Sequence, residues 1–136
     1  MTIERYDHLA IPMQDAAAMT AFYRGLGFQI EPYEQSGYQY FAALLGNVRI
    51  NLQLRETWEC EGFETRADCA APGSASFCMV WSGTLETLAS FLVSLEIEIV
   101  SGPVPRVGGH LNGTASGQSV YVHDPDGNLL EFIVYA

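Results

Sequence analysis

The C-terminal part of the chain contains the run SVYVHDPDGNLLEF at residues 119–132. Apolar residues flank its central segment, Asp124 to Asn128, in which proline, glycine and asparagine are turn formers. The pattern predicts two strands, Gln118–His123 and Leu129–Tyr135, joined as a hairpin.

The residues before this hairpin predict a strand, a helix and a further strand. Ala75–Trp81 is a strand-like run, Thr84 is a helix N-cap, and the apolar face of the helix extends to Leu95. Ile97–Val100 is a short strand-like run, and residues 102–117 form an excursion rich in glycine and proline. The second half of the chain therefore has the order strand, helix, strand, strand, strand.

The first half repeats this order. A strand at Tyr6–Pro12 precedes a helix that Asp15 caps and Gly27 closes. Three strand-like runs follow, at residues 28–33, 38–45 and 49–54. The repeat predicts an α+β fold made of two βαβββ modules, whose curved sheets would enclose a cleft.

The length of 136 residues and the 49% hydrophobic content suit a single domain with its own core. We expect this domain to span residues 1–136, with modules at about 1–55 and 75–136. Residues 56–74 carry several acids and end in a segment of small residues and proline, which predicts a solvated acidic connector.

The charge of the chain excludes several classes of function. Six arginines and no lysine stand against sixteen acids, so the net charge is −10. Nucleic acid and anionic membranes are therefore not expected as partners, and mechanisms that need a lysine are excluded. The chain shows neither a signal-peptide pattern nor a run of ~20 apolar residues, and its three cysteines form no C-x-x-C pair. These features predict a cytoplasmic protein with reduced thiols.

Four motifs keep a recognisable order along the chain: DHLAI at residues 7–11, AFYRGLGF at 21–28, SGPVPR at 101–106 and the run at 119–132. In these motifs the sequence resembles the vicinal oxygen chelate (VOC) superfamily, which contains glyoxalase I, extradiol dioxygenases, fosfomycin-resistance proteins and bleomycin-binding proteins. The resemblance implies paired βαβββ modules that form a cup with helices outside, a divalent metal in the cup, and a homodimer.

The same resemblance implies a set of metal ligands. His8 would be the ligand from the first strand and Glu131 the ligand from the last strand. Gln53 can offer an amide oxygen where the superfamily places a His or Glu, and Asn51 faces the same way. Ser76 stands where a His or Asp is expected, so two of the four positions are weakened. The implied ion is Fe, Mn, Ni or Zn with open positions for substrate. Without a metal, His8 would be a core histidine and Glu131 a hydrogen-bonded or ion-paired carboxylate.

Arg106 and Tyr121 are the candidate substrate-binding residues. Arg106 is the only basic residue after position 66, and its guanidinium could clamp a carboxylate or phosphate. Tyr121 offers aromatic surface to a small organic ligand. The alternatives are a guanidinium paired with a surface acid, and an aromatic residue of the core or of a dimer contact. His110 and His123 are expected in a loop and at a rim, and no catalytic residue is assigned.

Two functions are compatible with these residues. The first is a small-molecule metalloenzyme of the glyoxalase or dioxygenase kind, with lyase, isomerase or oxygenase chemistry, in which the ion chelates vicinal oxygens of the substrate. The alternative is a metal-free protein that sequesters an antibiotic, as bleomycin-resistance proteins do, and the acidic charge would attract a cationic drug. His8 and Glu131 favour the first function, whereas Gln53 and Ser76 favour the second. A sensor or scaffold that keeps only the fold is also compatible.

Overall fold

The computed structural model describes residues 1–135. The chain divides into two compact units, Met1–Ser74 and a second unit that begins at Ala75, here called module 1 and module 2. Ala136, the last residue of the predicted domain, lies outside the described residues. Within residues 1–135, no helix is both long enough and apolar enough to span a bilayer.

Module 1 has one four-stranded sheet in the order β1-β4-β3-β2, in which β1 and β4 are parallel and the other neighbours antiparallel. Its elements are β1 (His8–Pro12), α1 (Ala16–Gly25), β2 (Gln29–Gln35), β3 (Tyr38–Leu45), β4 (Val48–Gln53) and a single turn of helix, α2 (Arg55–Trp58). The predicted N-cap of α1 is confirmed, because the carboxylate of Asp15 accepts a hydrogen bond from the backbone N–H of Ala18 at 3.0 Å.

Module 2 repeats the arrangement, with the sheet order β5-β8-β7-β6 and a parallel β5–β8 pair. Its elements are β5 (Ser76–Val80), α3 (Leu85–Ser94), β6 (Ser101–Gly108), a short turn α4 (His110–Gly113), β7 (Ala115–His123) and β8 (Leu129–Tyr135). Thr84 caps α3 and forms a reciprocal capping box with Thr87. The α+β fold of two βαβββ modules predicted from the sequence is confirmed.

Each sheet buries one face. In module 1 this inner face carries Ile50 and Leu52, and Met19 and Tyr23 of α1 are fully buried as well. Burying each such side chain stabilises the fold by about 1.5–3 kcal/mol. The opposite faces carry the polar residues. The polar face of module 1 contains His8, Tyr33, Tyr40, Arg49, Asn51 and Gln53, and that of module 2 contains Cys78, Arg106, Ser119, Tyr121 and Glu131.

The predicted strand at Ile97–Val100 is wrong. These residues form no strand, and β6 begins at Ser101 and continues to Gly108, into the segment 102–117 that the sequence indicated as an irregular excursion. A shift of register between Ser101 and Val104 accommodates Gly102 and Pro103. Proline is tolerated in β6 because it is an edge strand, where the missing N–H breaks no sheet hydrogen bond.

The acidic connector is only partly solvated. Its acids are exposed, but Thr57 and Phe63 are buried against module 1. The Thr57 hydroxyl donates to the backbone oxygen of Gln39 at 2.8 Å, and the Phe63 ring lies 5.0 Å from the ring of Tyr38. Residues 56–74 therefore belong to the packed structure of module 1.

Candidate functional site

The Asp124–Asn128 turn fixes the position of β8, which carries Glu131. Asp124 Oδ1 accepts hydrogen bonds from the backbone N–H groups of Asp126 and Asn128, both at 3.0 Å, and Oδ2 accepts from the Asn128 amide at 2.7 Å. Asn128 Oδ1 in turn accepts from the backbone N–H of Ala75 at 3.0 Å, just before β5. The turn thus sets the register of β5 against β8.

Glu131 lies between Cys78 on β5 and Tyr121 on β7, its register partners on the two neighbouring strands. Its carboxylate is partly buried and forms no hydrogen bond or ion pair with any other described residue. A half-buried carboxylate without a partner is available to a ligand. The apolar surroundings and, second, the charge of Glu131 raise the pKa of Cys78 to about 11.

We expect Cys78 to react slowly with iodoacetamide at pH 8, because the thiolate is the nucleophile and little of it forms below the raised pKa. Glu131→Gln removes the second cause of the shift and should accelerate labelling of Cys78 by roughly threefold to tenfold. Peptide mass spectrometry of a labelling time course measures this rate. Cys69, which is exposed, serves as the internal reference, and Glu98→Gln, which removes an exposed carboxylate between α3 and β6, is the control variant. Equal rates in the wild type and Glu131→Gln would show that the carboxylate does not act on Cys78.

Arg106 and Tyr121 are brought together by the pairing of β6 with β7. Arg106 Nε donates to the Tyr121 hydroxyl oxygen at 2.8 Å, and one terminal nitrogen donates to the backbone oxygen of Pro105 at 2.8 Å. No carboxylate among the described residues pairs with Arg106. Arg106, Tyr121 and Glu131 therefore form a row of guanidinium, phenol and carboxylate across three strands.

His8 is exposed on β1 and is held by its neighbour. Its Nδ1 lies 2.7 Å from Asp7 Oδ1, and this hydrogen bond is the main reason why the pKa of Asp7 is lowered. Arg5 and Arg49 add smaller contributions to the same lowering. In the neutral tautomer that donates Nδ1–H to Asp7, the lone pair lies on Nε2.

Asn51 in module 1 is the register counterpart of Glu131 in module 2. Asn51 pairs with Ala10 on β1, just as Glu131 pairs with Cys78 on β5. The Asn51 side-chain oxygen already accepts a hydrogen bond from Arg49 Nε at 2.7 Å. Gln53, the predicted third ligand, lies two residues further on and is only 5% exposed.

These residues do not fit the four-ligand metal site that the resemblance implies. Within residues 1–135, no three His, Cys, Asp or Glu side chains are grouped so that they could hold a metal ion. Only His8 and Glu131 offer the expected donor types, while Ser76 offers a hydroxyl and Asn51 an amide engaged by a guanidinium. The guanidinium of Arg49, which is bonded to Asn51, also opposes the binding of a metal ion beside that residue.

Two features of the polar faces were not predicted from the sequence patterns. Arg49 was not singled out, although the alternation of β4 places it on the same side as Asn51. The stacking of His110 on Tyr135, with ring centroids 4.0 Å apart, was missed too. Gly108 makes room for this stack, since a Cβ there would lie 1.9 Å from the Tyr135 hydroxyl. His123 is exposed at the end of β7, as expected.

Known proteins resemble this chain over its whole length. The profile of a family described as the glyoxalase/bleomycin resistance protein/dioxygenase superfamily matches residues 5–132. The virulence protein STM3117 of Salmonella typhimurium is 35% identical over 99% of this chain and 87% of its own sequence. Its crystal structure superposes with a TM-score of 0.84, covering 100% of both chains.

Two more distant structures share the fold alone. The antibiotic-binding protein TnmS3 from Streptomyces is 16% identical with a TM-score of 0.73, covering 100% of this chain and 99% of its own. The fosfomycin resistance protein FosX from Listeria monocytogenes, solved with Mn(II) and sulfate, is 18% identical with a TM-score of 0.62, covering 99% of this chain and 93% of its own. This fold therefore occurs both in a protein solved with a metal and in one named for antibiotic binding.

Proposed function

Because the chain belongs to the glyoxalase/bleomycin resistance protein/dioxygenase superfamily, we propose that it binds a small polar organic molecule through its own side chains, without a resident metal ion. The observation that carries this proposal is the row of Arg106, Tyr121 and Glu131 on module 2. The guanidinium and the carboxylate have no ion-pair partner among the described residues, so both are available to a ligand.

The row dictates the chemistry of the ligand. Arg106 presents N–H donors, so it favours a carboxylate, phosphate or carbonyl oxygen. Glu131 accepts, so it favours a hydroxyl, amide or ammonium group. The Tyr121 ring and Val80, which is 55% exposed on the same face, offer apolar surface to the body of the ligand. A molecule with one acceptor end and one donor end fits this row better than a purely cationic drug.

Arg106→Gln should weaken ligand binding by over ~1.5 kcal/mol, about tenfold or more, because a charge-assisted hydrogen bond is lost. Ligands are first found by thermal shift with organic acids, amines and zwitterions on EDTA-treated protein, and affinities are then measured by calorimetry. Arg24→Gln removes the same charge from the exposed end of α1 and should leave the affinity unchanged. Equal affinities of the wild type and Arg106→Gln would exclude Arg106 from the site.

A metal-dependent enzyme is the second candidate, and the Asp7–His8 pair favours it. A carboxylate on one imidazole nitrogen is the usual arrangement around a metal-bound histidine, because it fixes the ring and raises its basicity. His8 and Glu131 would be the ligands, with Gln53 as a weaker third. Such an ion would polarise the oxygens of a bound substrate.

Metal analysis of tag-free protein decides between the two candidates. The wild type and a His8→Ala/Glu131→Ala variant are titrated with Mn(II), Fe(II), Ni(II) and Zn(II) in a calorimeter. The metal-free proposal expects no heat above background from either protein. Binding by the wild type that the double variant loses would establish the metal site instead.

We also propose a cytoplasmic location and a homodimeric assembly for this protein. The three cysteines are free thiols, which suits the reducing cytoplasm. A homodimer is proposed from the resemblance, and sedimentation equilibrium would measure a mass of twice 14.9 kDa if it is correct.

A further inference from the structure

Arg49 lies on the polar face of module 1 with one edge of its guanidinium held in place. Its Nε donates to Asn51 Oδ1 at 2.7 Å, and its Cζ lies 4.5 Å above the centre of the Tyr33 ring. The Tyr33 ring is in turn 5.9 Å from the ring of Tyr40 on the neighbouring strand. The hydrogen bond and the cation–π contact fix the plane of the guanidinium.

The other edge of this guanidinium has no partner among the described residues. Its terminal nitrogens form no hydrogen bond or ion pair with the described residues. That edge is the fork that binds a carboxylate or another oxyanion with two parallel hydrogen bonds. Because the fork is held before any ligand arrives, little side-chain entropy is lost on binding.

The acids around Arg49 are engaged elsewhere. Glu31, on the same face, accepts a hydrogen bond from the Gln29 amide at 2.6 Å. Asp7 is bonded to His8 at 2.7 Å, although the charge of Arg49 contributes to its lowered pKa. The guanidinium is therefore not neutralised by direct contact with either carboxylate.

The two modules differ in charge at equivalent positions of their sheets. In module 2 the position holds Glu131, a carboxylate without a partner. In module 1 it holds Asn51, a neutral amide whose oxygen is bonded to a cation. Module 1 thus repels a cation where module 2 attracts one.

We infer that the Arg49 fork, with Asn51 and Tyr33 as its supports, is a binding site for the carboxylate of a small organic acid. Arg49 is the group that touches the anion, Asn51 positions the guanidinium, and Tyr33 supports its rear face. This inference goes beyond the proposed function, because it adds a separate anion site on module 1.

Sodium benzoate is the probe, and benzamide is the matched neutral compound. In a ¹⁵N NMR titration of the full chain, benzoate should shift the Arg49 Nε–H resonance in a saturable way, and benzamide should not. Arg49→Gln should weaken benzoate binding at least tenfold, while Arg49→Lys, which keeps the charge but loses the fork, should give an intermediate affinity. Asn51→Ala should weaken it less than Arg49→Gln, since the charge remains. Arg24→Gln should bind like the wild type.

The outcomes separate this inference from the proposed function. The inference is wrong if benzoate leaves the Arg49 resonance unmoved, or if correctly folded Arg49→Gln binds benzoate as tightly as the wild type. If Arg106→Gln, but not Arg49→Gln, then weakens binding of a ligand found by thermal shift, the proposed function stands without the Arg49 site. If benzoate and all screened compounds fail to bind the wild type, both are wrong.

Discussion

Replacement of Asn128 by alanine is expected to lower the free energy of unfolding by about 3 kcal/mol, because buried polar groups lose their partners. Asn128 is 1% exposed and ties the Asp124 carboxylate to the backbone N–H of Ala75. Without the amide, that carboxylate and that N–H group each lose a hydrogen bond that water cannot replace at full strength. Chemical denaturation followed by circular dichroism measures the change.

Asn47 provides the control, because it occupies the equivalent Gly-Asn turn of module 1 but is exposed. Asn47→Ala should change the free energy of unfolding by no more than about 0.5 kcal/mol. A loss for Asn128→Ala as small as that of Asn47→Ala would mean that the turn network does not hold β8 against β5.

The hydrogen bonds of Asp124 and Asn128 give the DPDGN motif at residues 124–128 a structural role. The motif was part of the resemblance that indicated a ligand-binding superfamily, and the side chains of Asp124 and Asn128 form hydrogen bonds within the chain itself. Its contribution to the site is indirect, since it sets the register that places Glu131 beside Cys78 and Tyr121.

The fold was predictable where local patterns agree with long-range pairing. The caps at Asp15 and Thr84 were found because N-capping depends on residues close together in the chain. β6 was missed because Gly102, Pro103 and Pro105 hide its alternation, and the strand forms only through its partner β7. Instead, the backbone N–H of Ile97 donates to the backbone oxygen of Leu92 near the end of α3. The backbone N–H of Val100 donates to the backbone oxygen of Tyr121.

The candidate site was predictable only in its residue types. Arg106 and Tyr121 were both singled out, but their hydrogen bond depends on the register of β6 against β7, which includes an irregularity that the sequence does not specify. Arg49 was overlooked because an arginine on a strand is usually a solvated surface residue. Its proposed role as an anion site rests on the contacts with Asn51 and Tyr33, and Tyr33 lies on a different strand.

Gly102→Ala is expected to lower the free energy of unfolding by about 3 kcal/mol or more, because a methyl group would collide with the backbone of β7. A Cβ at this position would lie 2.3 Å from the backbone oxygen of Ser119 and 3.1 Å from Cα of Val120. In addition, φ is +93° at Gly102, which costs residues with a Cβ about 1–2 kcal/mol. A melting temperature lower by on the order of 10 °C is the expected readout.

Gly109→Ala is the matched control, because it adds the same methyl group just after the far end of β6. A Cβ there would have no atom within 4 Å, and φ is −74°. This variant should be as stable as the wild type or gain about 0.5 kcal/mol, since alanine has less conformational freedom in the unfolded chain.

Because β6 also carries Arg106, a folded Gly102→Ala variant should lose ligand affinity together with stability, whereas Gly109→Ala should keep both. Equal stability of the two variants would show that β6 can move away from β7 without cost, and the Arg106–Tyr121 contact would then not be rigid enough to orient a ligand.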